Sequence, residues 1–260
     1  MTFLSQATGF LSHFMNEVNE HSLHTPFLYD LYTKAIKSDK LNGDFSEIEL
    51  IRSKMLLDNT VIKISELGAG SKKNPHTERA IADIAKNSLT LPKYSQLFYR
   101  LVKYFNVRNI VELGTSFGIN TLYLAKFEAT KVYTFEGCEN TAEIAKTNFE
   151  KYGSKNIEII VGNLDHTLSS FLNGSIKPDM IYIDANHQFD ATMRYFELIL
   201  KNKHDQTFVI IDDINWSSGM QKAWNAIKRH PEVMLSLDLF RCGIVFFKHD
   251  LTKQHFFLEF

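Results

Sequence analysis

Five short apolar runs after Asn106 each end in residues able to do chemistry. The first, Ile110–Leu113, contains Glu112 and leads into Gly114-Thr115-Ser116-Phe117-Gly118. Glycines here permit a sharp turn and let a ligand approach the backbone. The spacing is G-x-x-x-G, not the G-x-G-x-x-G of pyrophosphate binders, and no Lys-Ser/Thr pair follows to make a phosphate loop. The second run ends in Glu136, 22 residues after Gly114. That is close to the roughly 20 residues that separate such a turn from a carboxylate accepting ribose hydroxyls. The third run is followed by Gly162-Asn163-Leu164-Asp165, the fourth by Asp184-Ala185-Asn186-His187 and the fifth by Asp212-Asp213-Ile214-Asn215-Trp216. The aspartates are either ligands for a hard cation or water-facing helix-start residues. His187 is of the right type for a general base, and its plainer role is to cap the next helix. Trp216 either stacks on a ligand ring or packs.

The elements that hold these ends follow from periodicity. Strands are read at Ile110–Leu113, Lys131–Phe135, Ile157–Val161, Met180–Ile183 and Phe208–Ile211, with helices at Ile119–Phe127, Ala142–Tyr152, Leu168–Leu172, Phe189–Leu200 and around Met220–Ile227. Strands in this order, each followed by a crossover helix, imply a parallel sheet covered on both faces. Val233–Phe240 and Ile244–Phe247, separated only by Arg241-Cys242-Gly243, force an antiparallel hairpin. The expected fold class is α/β: a doubly wound, mostly parallel, seven-stranded sheet closed by that hairpin, with ligands outside the carboxyl ends of its strands.

The part before Asn106 reads as mainly helical. Helices are expected at Phe27–Lys37, Phe45–Leu57 and His76–Ser88, and a short strand at Thr60–Ile64. The clearest stripe is Tyr94, Leu97, Phe98, Leu101, Val102 and Phe105, following Pro92. The expected division is a helical extension or lid over 1–106 and a ligand-binding domain over 107–260. A second glycine turn, Glu66-Leu67-Gly68-Ala69-Gly70-Ser71, is not followed by a strand ending in a carboxylate and is read as a loop. Lys72, Lys73 and Arg79 near it are read as a solvated basic turn.

Composition narrows the classes. The 260 residues carry 29 basic and 30 acidic side chains, a net charge of −1, which argues against a dedicated nucleic-acid binder. Apolar residues make up 44% and charged residues 23%, as in ordinary globular proteins. The two cysteines, Cys138 and Cys242, form no metal or disulfide pattern and are read as packing residues in a reducing compartment. His21 and His24, ahead of Pro26, do not share a helix face as ligands would. No apolar stretch reaches the length of a membrane span and no secretory signal opens the chain, so a cytoplasmic protein is expected.

Over about Asn109–Lys248 the order of residues resembles the class I S-adenosylmethionine-dependent methyltransferases, whose sheet also closes with an antiparallel hairpin. The resemblance implies that Gly114 and Gly118 lie against the methionine part of the cofactor, with Glu112 near its amine. It places Glu136 on the ribose and Asn163 at the adenine edge, where the family often has an acidic residue. The last two strand ends resemble those of cation-dependent small-molecule O-methyltransferases, the catechol and caffeoyl-CoA type. Matched residue by residue, Asp184, Asp212 and Asp213 would bind a divalent cation such as magnesium, with Asp184 also beside the cofactor. His187 stands where that group has a lysine, and Asp213 where it has an asparagine.

The expected activity is therefore O-methylation of a small-molecule acceptor, with His187 as base. A phenol, with a pKa of about 10, stays protonated at neutral pH unless a base or a metal assists. A nicotinamide-dependent oxidoreductase and a non-catalytic interaction protein of the same fold are the competing readings. The partner is a small molecule rather than nucleic acid, and a homodimer is left open.

Overall fold

The computed structural model describes residues 9–11, 13–38, 40, 43–65 and 77–260. The turn at Glu66–Ser71, with Lys72 and Lys73, lies outside them. The chain divides into two compact units, residues 39–171, and residues 1–38 together with 172–260.

The amino-terminal segment supplies β1 (Glu17–Val18) and α1 (Pro26–Leu31), which continues as a wider π-helical turn over Tyr32–Ile36. Proline opens α1 at its first turn, where no amide hydrogen is needed.

The 39–171 unit begins with α2 (Ser46–Leu57), β2 (Val61–Lys63), β3 (Glu78–Ala80), α3 (Ile81–Ser88) and α4 (Pro92–Tyr104). It continues with β4 (Asn109–Leu113), α5 (Ile119–Ala125), β5 (Lys131–Glu136), α6 (Glu139–Tyr152), β6 (Ile157–Val161) and α7 (Leu164–Leu172). The helix expected from His76 is corrected at its start: Glu78–Ala80 pairs antiparallel with Val61–Lys63, and helix begins only at Ile81. Strands β4, β5 and β6 are parallel, with Leu113 opposite Phe135 and Glu136 opposite Val161. Asn106 marks no gap in packing. Phe45 and Ile48 of the earlier part share one core with Ile119, Leu122, Tyr123 and Phe149. The α4 stripe packs as expected, with Leu97, Phe98, Leu101 and Val102 fully buried.

The other unit contains β7 (Met180–Ile183), α8 (Phe189–Leu200), β8 (Phe208–Ile211), α9 (Ser218–Arg229), β9 (Leu235–Asp238), β10 (Gly243–Phe246) and β11 (Gln254–Leu258). Its strand order is β1-β11-β9-β10-β8-β7. β7 and β8 are parallel, and β10 is antiparallel to both β8 and β9. All four residues of β7, β8, β9 and β10 are buried; β7, β8 and β10 accordingly read as unbroken apolar runs, whereas β9 also buries Ser236 and Asp238. β11 and β1 were not expected; β11 runs parallel to β9, and β1 parallel to β11. Among the described residues no helix is long and apolar enough to cross a membrane.

Candidate functional site

Within the 39–171 unit the turn after β4 and the end of β5 converge. The amides of Gly114 and Thr115 both donate to the carbonyl of Phe135, at 3.0 Å. The Ser116 N–H then donates to Glu136 Oε2 at 2.8 Å, and the Cys138 N–H to Glu136 Oε1 at 2.9 Å. Glu136 is thereby fixed against the glycine turn. Burial raises its pKa, while the backbone amides oppose that rise.

Glu112, expected near a ligand's amine, turns its carboxylate to side chains of its own unit. Its side chain is fully buried, and its carboxylate accepts from Asn120 Nδ2 (3.0 Å), Thr121 Oγ1 and Thr134 Oγ1 (2.7 Å). Thr115 Oγ1 lies 2.6 Å from Thr134 Oγ1, so hydroxyls join the carboxylate to the turn above it. Burial outweighs these donors and pushes the Glu112 pKa from 4.5 to about 7. A raised carboxyl pKa means that the folded state holds the proton more tightly than the unfolded state. Stability is then greatest below the unfolded value and is lost as pH rises through the folded one, by about 3 kcal/mol in total. Glu112→Gln should remove most of this decline between pH 4.5 and 7. Its new amide can donate to Asn120 Oδ1, a buried atom that has no partner. Urea unfolding at several pH values checks this; an unchanged slope would contradict it.

Gly118 starts α5 with φ 75°, and a Cβ there would lie 2.3 Å from the Phe149 ring. Its small size serves the core as well as the turn. Asn163 caps α7: its Oδ1 accepts from the Asp165 N–H at 2.9 Å.

The other unit gathers the remaining candidates. Tyr182 Oη lies 3.1 Å from Asp184 Oδ2 and 2.9 Å from Asp212 Oδ2, so its single O–H proton is shared between the two carboxyl groups. Asp212 is fully buried. His187 Nε2 lies 3.4 Å from Asp184 Oδ1, and its ring centre is 5.8 Å from that of Trp216. Burial raises the Asp184 pKa well above the usual carboxylate range, and the Asp212 and Asp213 charges add to the rise. Asp213 is raised by burial and by Asp212.

Arg241, which the sequence presented only as part of a hairpin link, completes the cluster. Its Nε is 3.2 Å from Asp212 Oδ1, and its Nη2 is 3.1 Å from Asp212 Oδ2 and 3.7 Å from Asp213 Oδ1. Burial opposes its charge, but the two aspartates outweigh that and hold the guanidinium pKa above its ordinary value. Arg241 thus engages the Asp212 oxygens that the expected Asp184–Asp212–Asp213 cation site would use. Both Asp212 oxygens already serve a guanidinium and a phenol, and among the described residues no three His, Cys, Asp or Glu side chains are disposed to hold one ion.

Ser116, Asn186, His187 and Asp213, none of them glycine, have φ of 48°, 65°, 40° and 52°. Each such residue costs on the order of 1 kcal/mol, and this kind of strain collects at functional sites. Here all four follow strand ends.

A methyltransferase-domain family model matches residues 111–214. Protein-L-isoaspartate O-methyltransferase from Pyrococcus abyssi is 27% identical over 92 residues, 35% of this chain and 43% of the relative. Catechol O-methyltransferase from Niastella koreensis is 25% identical over 127 residues, 47% of this chain and 57% of the relative. The chain thus spans about half the length of the curated relatives it matches. Among solved structures, an O-methyltransferase from Bacillus cereus in complex with S-adenosylhomocysteine superposes with a TM-score of 0.59 at 22% identity, covering 82% of this chain and 96% of that one. The O-methyltransferase TomG from Streptomyces achromogenes, in complex with S-adenosylmethionine, gives 0.54 at 19%, covering 62% and 82%. The shared fold is α/β and Rossmann-like, with a mostly parallel central sheet and antiparallel strands. Residues 111–214 thus resemble a methyltransferase domain, and the fold is the one these methyltransferase structures share.

Proposed function

We propose that this chain is an S-adenosylmethionine-dependent methyltransferase acting on a hydroxyl group of a small molecule. Glu136 carries the reading. It is a desolvated carboxylate at a strand end, tied to the glycine turn through the Ser116 N–H. An ionised carboxylate has about four acceptor positions, so the backbone amides of Ser116, Cys138 and Gly137 leave capacity for a ribose hydroxyl.

When bound, S-adenosylmethionine supplies an electrophilic methyl group on a sulfonium, and the protein has mainly to align it with a nucleophile. In this reading Glu136 holds the ribose, and the turn from Gly114 to Gly118 flanks the methionine part. Asn163 meets the adenine edge through its amide nitrogen, because its oxygen caps α7. Glu112 supports the turn from beneath. Asp184, expected beside the cofactor, also orients His187 through the 3.4 Å contact with Nε2. That leaves His187 Nδ1 to take the proton from the acceptor hydroxyl. The two buried, unpaired cysteines suit a reducing compartment.

The reading is tested with methyl-labelled S-adenosylmethionine and a panel of phenols and other small hydroxyl acceptors. Label transferred to oxygen is the expected result. No transfer, combined with quenching of nicotinamide fluorescence on mixing, would favour the oxidoreductase instead.

A further inference from the structure

We propose that the Arg241 guanidinium is the built-in cation of the Asp184–Asp212–Asp213 cluster, so that this chain uses no divalent metal there. The inference rests on the methyltransferase reading for its meaning, but its geometry stands alone. Asp212 is fully buried at the end of β8 and needs a positive partner. The fold supplies one covalently. Gly243 of β10 pairs with Ile211 of β8 on one side and with Asp238 of β9 on the other, so the hairpin link passes directly beside Asp212. The Ile214 N–H donates to the Arg241 carbonyl at 3.0 Å, which pins the link to the chain following β8. Phe240, at φ 64°, turns the backbone so that Arg241 enters the cluster.

The result is a fork in which Nε and Nη2 meet the two oxygens of Asp212, with Nη2 also facing Asp213. A planar guanidinium matches a carboxylate in this two-point manner, whereas a hard cation would need those same oxygens with open positions for water or acceptor. Tyr182 Oη bridges Asp212 to Asp184 and so fills another position such an ion would require. Arg241 acts as a positioning residue. It fixes the aspartates around His187, and deprotonation of the acceptor falls to the imidazole.

The test is an electron paramagnetic resonance titration with Mn²⁺, which needs neither cofactor nor acceptor. Wild-type protein should leave Mn²⁺ free up to about 1 mM, the weak end of oxygen-ligand sites. Arg241→Ala, with folding checked by circular dichroism, should gain one Mn²⁺ per chain, bound at least tenfold more tightly than by wild type. Chelator should leave wild-type methyl transfer unchanged. One tightly bound Mn²⁺ in wild type, lost in Asp212→Asn, would overturn the proposal, and so would a folded Arg241→Ala that gains none. If Arg241→Ala does not fold, the wild-type titration decides alone. Absence of S-adenosylhomocysteine binding would defeat the methyltransferase reading without altering the Mn²⁺ result.

Discussion

His187→Ala should lower turnover by about 10²–10⁴-fold, the range a positioned acid–base group contributes. The expectation follows from the surroundings of the ring. Asp184 Oδ1 stands 3.4 Å from Nε2, and the Trp216 ring centre is 5.8 Å from that of the imidazole. The residue sits at φ 40°, with its amide donating to the Ala185 carbonyl at 2.8 Å, so the backbone as well as the carboxylate fixes its direction. A group held by strain and by an acidic neighbour is pre-organised for one task. S-adenosylhomocysteine affinity should stay within about threefold of wild type, because uniform binding is not what such a residue supplies. Steady-state kinetics over the acceptor panel separate the two quantities. Normal turnover in the variant would eliminate the imidazole as base, and an equal loss in both would make His187 part of the cofactor site.

Gly118→Ala should cost about 2–5 kcal/mol of folding stability, combining a left-handed backbone with an overpacked core. The added Cβ would lie 2.3 Å from Phe149 Cε1 and 2.6 Å from Cζ. Phe149 belongs to the cluster with Ile119, Leu122 and Tyr123 and cannot retreat without opening it. Gly153 is the natural control. It ends α6 at φ 79°, nearly the same conformation, yet a Cβ there meets nothing within 4 Å. Gly153→Ala should therefore cost only about 1 kcal/mol, the conformational part alone. Urea unfolding of both variants isolates the steric difference. Equal losses would mean that the Phe149 contact contributes nothing.

The strands β7 and β8 were legible because they are buried throughout, so Met-Ile-Tyr-Ile and Phe-Val-Ile-Ile are unbroken apolar runs, each followed by an aspartate. Gln254–Leu258 escaped notice because it is the less buried partner of β9, with only Leu258 fully covered. Glu78–Ala80 escaped because nothing in Glu-Arg-Ala marks a strand; its pairing with Val61–Lys63 makes it one. The Gly114 turn and Glu136 could be found by counting, since parallel neighbours bring successive strand ends together. Arg241 could not, because its partner lies 29 residues away and the contact depends on the register of β10 between β8 and β9. The one available signal was a charged residue in a very short link between two buried strands. Spacing also says nothing about which way a strand-end carboxylate faces: Glu112 turns inward to three side-chain donors, and Glu136 meets backbone amides.

The central claim is that Glu136, fixed against the glycine turn, grips the ribose of an adenosyl ligand. Isothermal calorimetry with S-adenosylhomocysteine tests it on wild type and Glu136→Ala side by side. One site per wild-type chain is expected, with an affinity at least tenfold weaker in the variant, since a charge-assisted hydrogen bond is worth about 1.5–3 kcal/mol. No heat with wild-type protein, or equal affinity in the two proteins, would contradict it.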